Sequence, residues 1–329
     1  MRAGALDFLR LDGVTPRPSD LTVFTSAGDD VVDGVLRIAR TWYRIEEGIL
    51  DALPEALASP AARARFAARY GLEASAAPVI KTDDDVRKVE QIDFFRDDVA
   101  VYDRDVSNRS FYVASDRISF GEWAASLQPG AMVCDIGAGS GRITLPLANH
   151  GLHVVATDVS EEMLRIARRR AVAAGVDSRV TFVLADAERL PLGDGLFDAA
   201  GCYGVLHHVP NPETVVLEAG RILRPGGRWL SYDPHRSKVR FLFDWAMRLS
   251  TLYQELASGN PMIARDDAAA WCRKAGITAD IRFHFFLPPH LLNLLSPDTA
   301  ERWLRASDWV FNRIGLRSWA GVIVVVGNK

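Results

Sequence analysis

The 329-residue chain has little cysteine. Cys134, Cys202 and Cys272 are too few and too scattered for a disulfide framework or a thiolate zinc cage, and no metal site is expected. Cys134 and Cys202 fall on predicted core strands, where a thiol behaves as a small apolar group. Long hydrophobic runs are also missing. The longest, Val322–Val326 with its flanks, falls far short of the roughly 20 residues that a membrane-spanning helix needs. No charge sign prevails: 39 Lys and Arg stand against 42 Asp and Glu, a net −3 that gives nucleic acid little to hold. The local cluster Arg165, Arg168, Arg169 and Arg170 reads as a solvated helix face. The N-terminus lacks a basic region followed by an apolar signal core, so a cytoplasmic location is expected. What remains, 48% hydrophobic and 25% charged residues, describes a globule longer than one typical domain.

Within that ordinary composition stands a glycine loop. Residues 133–142 read Val-Cys-Asp-Ile-Gly-Ala-Gly-Ser-Gly-Arg, a short apolar strand that breaks into glycines at Gly137, Gly139 and Gly141. Such a turn lets a backbone approach a ligand closely. In the dinucleotide pattern G-x-G-x-x-G the third glycine would fall on Arg142, so that pattern does not fit. Asp135 would repel a pyrophosphate and suits a ligand end bearing an ammonium group. Both departures point to S-adenosylmethionine rather than a nicotinamide cofactor. A second apolar strand, Val154 to Ala156, ends at Asp158, about twenty residues past the loop, where a doubly wound fold places an acid for ribose hydroxyls. Ser160 competes with Asp158 for the following helix cap, with Glu161 and Glu162 in its first turn.

Residues 131–232 resemble class I methyltransferases of the group that includes the ubiquinone and menaquinone C-methyltransferases. Five segments carry the resemblance in order: 133–141, Ala-Thr-Asp-Val-Ser (156–160), Leu-Ala-Asp-Ala-Glu-Arg-Leu-Pro (184–191), Phe-Asp-Ala-Ala-Gly-Cys-Tyr-Gly-Val-Leu-His-His-Val (197–209) and Arg-Ile-Leu-Arg-Pro-Gly-Gly-Arg (221–228). The resemblance implies a Rossmann-like α/β fold with a seven-stranded, mostly parallel sheet. It implies that Asp135 and the loop Gly137, Ala138, Gly139, Ser140 and Gly141 face the methionine part of S-adenosylmethionine. Asp158 and Val159 would hold the ribose, Asp186 and Ala187 the adenine edge, and Cys202 and Tyr203 the floor beside the methionine.

The organisation around this core is expected in parts. Residues 1–90 form a small α+β module and linker helix, with antiparallel strands turning at Gly34 and Gly48. The module resembles a zinc-ribbon-like domain in which a cysteine pair precedes a Tyr-x-Ile-x-x-Gly-Ile segment; Ile38 and Thr41 stand at the cysteine positions, so apolar packing must replace the metal. An alanine- and arginine-rich helical pattern runs from Pro54 to Gly71. Residues 91–329 form the methyltransferase domain, with a lid over 91–115, a core over 116–235 and helical insertions over about 236–265 and 287–316. Tyr102 and Tyr112 are aromatic candidates in the lid, Tyr102 for the cofactor's sulfonium. Core strands are read near 131–136, 153–157, 180–185, 196–202 and 228–232, with outer strands near 279–286 and 319–326. Pro225-Gly226-Gly227 reads as the stop of a helix over 213–223.

Methyl transfer from a sulfonium needs alignment, exclusion of water and, for a protonated acceptor, a base. The candidates are His208, His207, Asp233 and His235, with His284 read as structural. Apolar-aromatic insertions (Phe241, Phe243, Trp245, Phe285, Phe286) suggest a small aromatic, polyketide-like or isoprenoid acceptor, methylated on oxygen or carbon. RNA methylation, or cofactor binding without methylation, are the alternatives. Trp303, Trp309 and Trp319 suit a homodimer interface or a core.

Overall fold

The computed structural model describes residues 1, 3–39, 41–73, 82–93, 109–238, 262–287 and 289–329. Residues 94–108 of the expected lid, including Tyr102, and the segment with Phe241, Phe243 and Trp245 lie outside the described residues.

Four strands open the chain: β1 (Leu21–Ala27), β2 (Asp30–Ile38), β3 (Thr41–Glu46) and β4 (Ile49–Asp51), each antiparallel to the next. Glu47 and Gly48 turn β3 into β4 with φ of 50° and 74°, the two positive angles that a tight hairpin turn requires. Gly34 is no turn. It sits inside β2 opposite a bulge of β1, where a Cβ would come 2.6 Å from the Thr22 carbonyl oxygen. The helical pattern after this meander begins later than expected, as α1 (Pro60–Tyr70). Ser59 caps it by accepting from the Ala62 amide, and Gly71 closes it at φ 64°. A helix over 83–93 (α2) follows, then α3 (Ser110–Asp116), which runs through a wide turn at Arg117–Gly121 into α4 (Glu122–Ala125).

The core alternates strand and helix: β5 (Met132–Ile136), α5 (Thr144–Asn149), β6 (His153–Asp158), α6 (Glu161–Ala173), β7 (Val180–Leu184), β8 (Phe197–Tyr203), α7 (Pro212–Ile222) and β9 (Leu223–Pro234). Helix α7 stops at Ile222, because Leu223 is already extended and pairs with Phe197; Pro225-Gly226-Gly227 lies inside the entry to β9. Helix α8 (Arg265–Lys274), β10 (Thr278–His284), α9 (Pro289–Leu292), α10 (Pro297–Arg313) and β11 (Val322–Asn328) complete the chain. Strand β10 ends before Phe285, whose φ of 64° breaks the extended run. Asp308 accepts the Phe285 amide at 2.8 Å, and the Phe285 carbonyl accepts from Gly321 at 3.0 Å. These bonds hold a conformation that costs a bulky residue energy.

All strands join one sheet in the order β1-β2-β3-β4-β7-β6-β5-β8-β9-β11-β10. Strands β7, β6, β5, β8 and β9 are parallel, and β11 inserts antiparallel between β9 and β10. The seven expected core strands are present, and the N-terminal strands extend the same sheet rather than forming one of their own. The join is parallel pairing of β4 with β7, Ile49 against Phe182 and Asp51 against Leu184. It covers an edge of unpaired backbone groups that would otherwise face outward. Arg44 of β3 reinforces the join. Buried, it bonds Asp51 at 3.2 Å and Glu161 at the start of α6 at 2.7 Å. Arg165 in turn bonds Glu161 at 2.9 Å and pairs with Glu47, so part of the arginine cluster on α6 is a tie to the N-terminal strands and not a solvated face. Trp303, Trp309 and Trp319 are exposed, which removes them from any core.

Candidate functional site

The site lies along the C-terminal ends of β5, β6, β7, β8 and β9. At its centre the glycine loop leaves β5 with positive φ at Gly137 (70°), Gly139 (53°) and Gly141 (87°). The three glycines serve different needs. A Cβ on Gly137 would strike Val205 at 2.4 Å, and one on Gly141 would press on Ala167 at 3.1 Å. Gly139 faces open space, so its backbone is the part of the loop a ligand can approach. Asp135 is buried beneath the loop and accepts the Thr144 hydroxyl at 2.5 Å. Burial pushes its carboxyl up to about 6, reinforced by the nearby Asp158 and opposed by the Thr144 bond. Ala138 is buried. Ser140 turns the other way: its hydroxyl accepts from Arg170 of α6 at 3.1 Å, so its side chain is engaged by the helix.

Asp158 does not cap α6; Ser160 does, accepting from the Met163 amide. Asp158 instead accepts the amides of Gly139 and Ser160, both at 2.8 Å, and so ties the end of β6 to the open position of the glycine loop. Burial raises its carboxyl, and those amides oppose the shift. Val159 is half-buried beside it. On the neighbouring strand end, Asp186 accepts the Glu188 amide and the Lys88 ammonium, the latter at 2.7 Å, with Glu188 3.0 Å from the same nitrogen. Burial would lower the Lys88 ammonium, but the two carboxylates hold it above its ordinary value. In the sequence Lys88 only closes a polar stretch from Lys81 and carries no site signal. Ala187 is buried next to Asp186.

Cys202 and Tyr203 point to opposite faces of β8, as successive strand residues must. The Cys202 side chain is fully buried in the core with Cys134 and Ile136, so only its backbone borders the crevice. Tyr203 stacks on Tyr232 of β9 with ring centroids 4.0 Å apart and 8° between planes. The Ser115 hydroxyl of α3 bonds both phenols, at 3.1 and 2.9 Å. Burial keeps both phenols protonated far above their ordinary range. Arg142, directly after the last loop glycine, lies against the rings of Tyr112 (4.8 Å) and Tyr203 (4.5 Å) and is held by Asp116. Phe285 completes the wall, 5.4 Å from Phe111 and 6.0 Å from Tyr232. Tyr112 of the expected lid therefore reaches this cluster. The basic residue following Gly141 was the available sequence signal for Arg142.

The histidines separate clearly. His207 Nδ1 lies 3.0 Å from Asp233 Oδ1, and the His207 amide donates to the same oxygen at 3.3 Å. Asp233 is buried at the end of β9, and burial drives its carboxyl well up against the amides of His207, Leu206 and Val205. Its Oδ2 has no partner within hydrogen-bond geometry among the described residues. Because Val205 packs on Gly137, this pair is fixed to the glycine loop. His208 packs against His207 with ring centroids 3.9 Å apart and planes tilted by 42°, and burial with the neighbouring ring lowers it to about 3. His235 is buried against Phe283 with Nδ1 3.0 Å from the Ala320 carbonyl oxygen. His284 bonds Asp308, which also anchors Phe285, in keeping with a structural role.

Residues 134–231 match the family model described as methyltransferase domain. The chain is 32% identical over 167 residues to the ubiquinone biosynthesis O-methyltransferase of Dechloromonas aromatica (strain RCB), covering 49% of this chain and 70% of that protein. It belongs to the class I S-adenosylmethionine-dependent methyltransferases. The demethylmenaquinone methyltransferase of Clavibacter sepedonicus is 38% identical over 145 residues, covering 43% of this chain and 57% of that protein. The first relatives it matches are thus spanned over about three fifths of their length. Among solved structures, the [4+2]-cyclase SpnF shares the fold with a TM-score of 0.53 and 20% identity, covering 78% of this chain and 98% of SpnF. The observed cradle suits the family's cofactor: backbone open at Gly139, a carboxylate at the end of β6, and aromatic rings beyond the loop. No helix among the described residues is long and apolar enough to cross a membrane.

Proposed function

We propose that the chain transfers a methyl group from S-adenosylmethionine to a hydroxyl oxygen of a small aromatic, quinol-like or polyketide-like acceptor in the cytoplasm. The observation that carries this reading is the His207–Asp233 pair fixed beside the glycine loop. The bound cofactor supplies an electrophilic methyl on a sulfonium. Gly137 to Gly141 with Asp135 hold its methionine end, Asp158 and Val159 its ribose, and Asp186 and Ala187 its adenine edge. Lys88 must yield Asp186 for that last contact. Tyr203, Tyr232 and Phe285 form an apolar wall that would keep water from the positive sulfur.

A phenol near pH 7 is almost fully protonated, so a base speeds transfer by roughly 10²–10⁴-fold. As the acceptor oxygen takes the methyl that the cofactor would supply, leaving the sulfur as a neutral thioether, His207 Nε2 would accept the hydroxyl proton. Asp233, bonded to Nδ1, fixes the tautomer and stabilises the imidazolium. Neutral His208, at about 3, is a poor proton acceptor and packs behind the acting ring. The relatives named for quinone biosynthesis support the choice of acceptor class.

The test is incubation with S-adenosylmethionine and a panel of catechols, hydroquinones and demethylquinones, reading S-adenosylhomocysteine and methylated product by mass spectrometry. Product on oxygen supports the proposal. Product on ring carbon shifts the acceptor atom, and cofactor binding without product with any acceptor favours the non-methylating reading, a role that the fold of a cyclase makes physically open.

A further inference from the structure

One cavity among the described residues lies apart from the methyl-transfer crevice. It is a cleft of about 1410 Å³ between the N-terminal strands, α1 and the segment Arg189–Asp194. Five arginines line it, and they fall into two groups. Arg10 and Arg221 both pair with Asp194, and Arg221 also with Glu218. Arg37, Arg63 and Arg189 have no ion pair among the described residues. Arg37 stands directly across from Trp42 in the β2–β3 register, and the Arg63 guanidinium lies 5.7 Å from the Trp42 ring centroid. Trp42 thus has Arg37 across the strand pair, Arg63 over its ring and Phe66 stacked against it, and Arg63 also acts on the buried Asp51 carboxylate. Arg189 and Arg63 both act electrostatically on Tyr43, whose hydroxyl is taken by Asp12. Arg63 Nε is buried without a hydrogen-bond partner among the described residues, which costs energy in a folded protein unless a ligand answers it.

We propose that this cleft is a second binding site, distinct from the cofactor crevice, for a small phosphate monoester carrying a flat ring. Arg63, with Arg37 and Arg189, would take the phosphate by charge-assisted bonds, and the partly exposed Trp42 would meet the ring. The same lining argues against a polymeric anion. Asp12, Glu55, Glu73, Asp194 and Glu218 border the cleft and would repel a continuous phosphate backbone while leaving room for one compact anion.

The test uses the full chain with S-adenosylhomocysteine added to keep the crevice filled, titrated calorimetrically with phenyl phosphate, inorganic phosphate, phenol and oligouridylate. Saturable phenyl phosphate binding, weakened about tenfold by Arg63→Gln and severalfold by Arg189→Gln, is expected, with inorganic phosphate weaker and phenol silent. Arg189 is exposed, so its variant tests the site even if Arg63→Gln disturbs folding, which thermal melting checks. No phenyl phosphate binding, binding indifferent to both variants, or oligouridylate binding as tightly would overturn the proposal. Inorganic phosphate binding as tightly as phenyl phosphate would overturn the ring-bearing class. S-adenosylhomocysteine serves only to block the crevice, so its failure to bind would count against the methyltransferase reading and leave this one intact.

Discussion

The glycine-loop end of the crevice and its histidine end each keep carboxylates from water, but they compensate them differently. Asp158 is answered by two amides of fixed backbone, at Gly139 and Ser160, and Asp135 by a hydroxyl. Asp233 is answered by an imidazole as well as by the His207 amide, and its other oxygen has no partner among the described residues. Amides do not titrate, so the first arrangement shapes a cradle and moves no proton. An imidazole does titrate, so the second stores free energy that is released when the ring becomes charged. On the proposed function, one end binds the cofactor and the other reacts.

The comparison is broken most severely by Asp158→Ala. We expect S-adenosylmethionine affinity to fall at least ~10²-fold by calorimetry, because loop amides lose their acceptor together with the ribose contact; an affinity within threefold would refute the assigned division. At the other end, His207→Gln and Asp233→Asn should each lower kcat by about 10²-fold while leaving cofactor affinity nearly unchanged. A fall in affinity without a fall in kcat would reverse the roles. Asp135→Asn probes stability. The folded carboxyl, at about 6, lies above its ordinary 3.8, so between roughly pH 4 and 6 the folded chain keeps a proton that the unfolded chain has released. Stability therefore falls as pH rises through that window, and the cost is complete at pH 7. The variant should flatten this dependence and gain about 2 kcal/mol at pH 7 in denaturant melts, with weaker cofactor binding. A melt at pH 7 no more stable than the parent would count against the buried-acid account. The smallest effect belongs to His208→Gln: neutral above about pH 4, His208 should change kcat less than ~3-fold and leave the pH profile between 5 and 9 in place.

Much of the binding end was legible in the sequence because its determinants are local. Glycines that need positive φ must be glycine, and an acid at a strand end keeps its place whatever packs around it. The core strands followed for the same reason, from short apolar runs between helices. Legibility failed where a residue's meaning depends on a distant partner. Nothing near Lys88 announces Asp186, and nothing in Ser140 shows that Arg170 will claim its hydroxyl. Cys202 sits within a family motif, yet strand alternation turns its side chain into the core. His207 and His208 are the same residue type in adjacent positions, and only Asp233, 26 residues on, tells them apart. Phe285 was read as one more strand residue; its positive φ is imposed by Asp308 from another helix.

The parallel contact of β4 with β7 also has a temporal side. Its strands lie some 130 residues apart in the chain, so during synthesis the N-terminal hairpins form early from neighbouring residues while β4 waits for its partner. Through that interval the edge of β4 is open to strands of other molecules, and Arg44, with Asp51 beside it, awaits Glu161. At ordinary translation speed the wait lasts roughly 10 s, long enough for the yield of folded protein to depend on how crowded the nascent chains are.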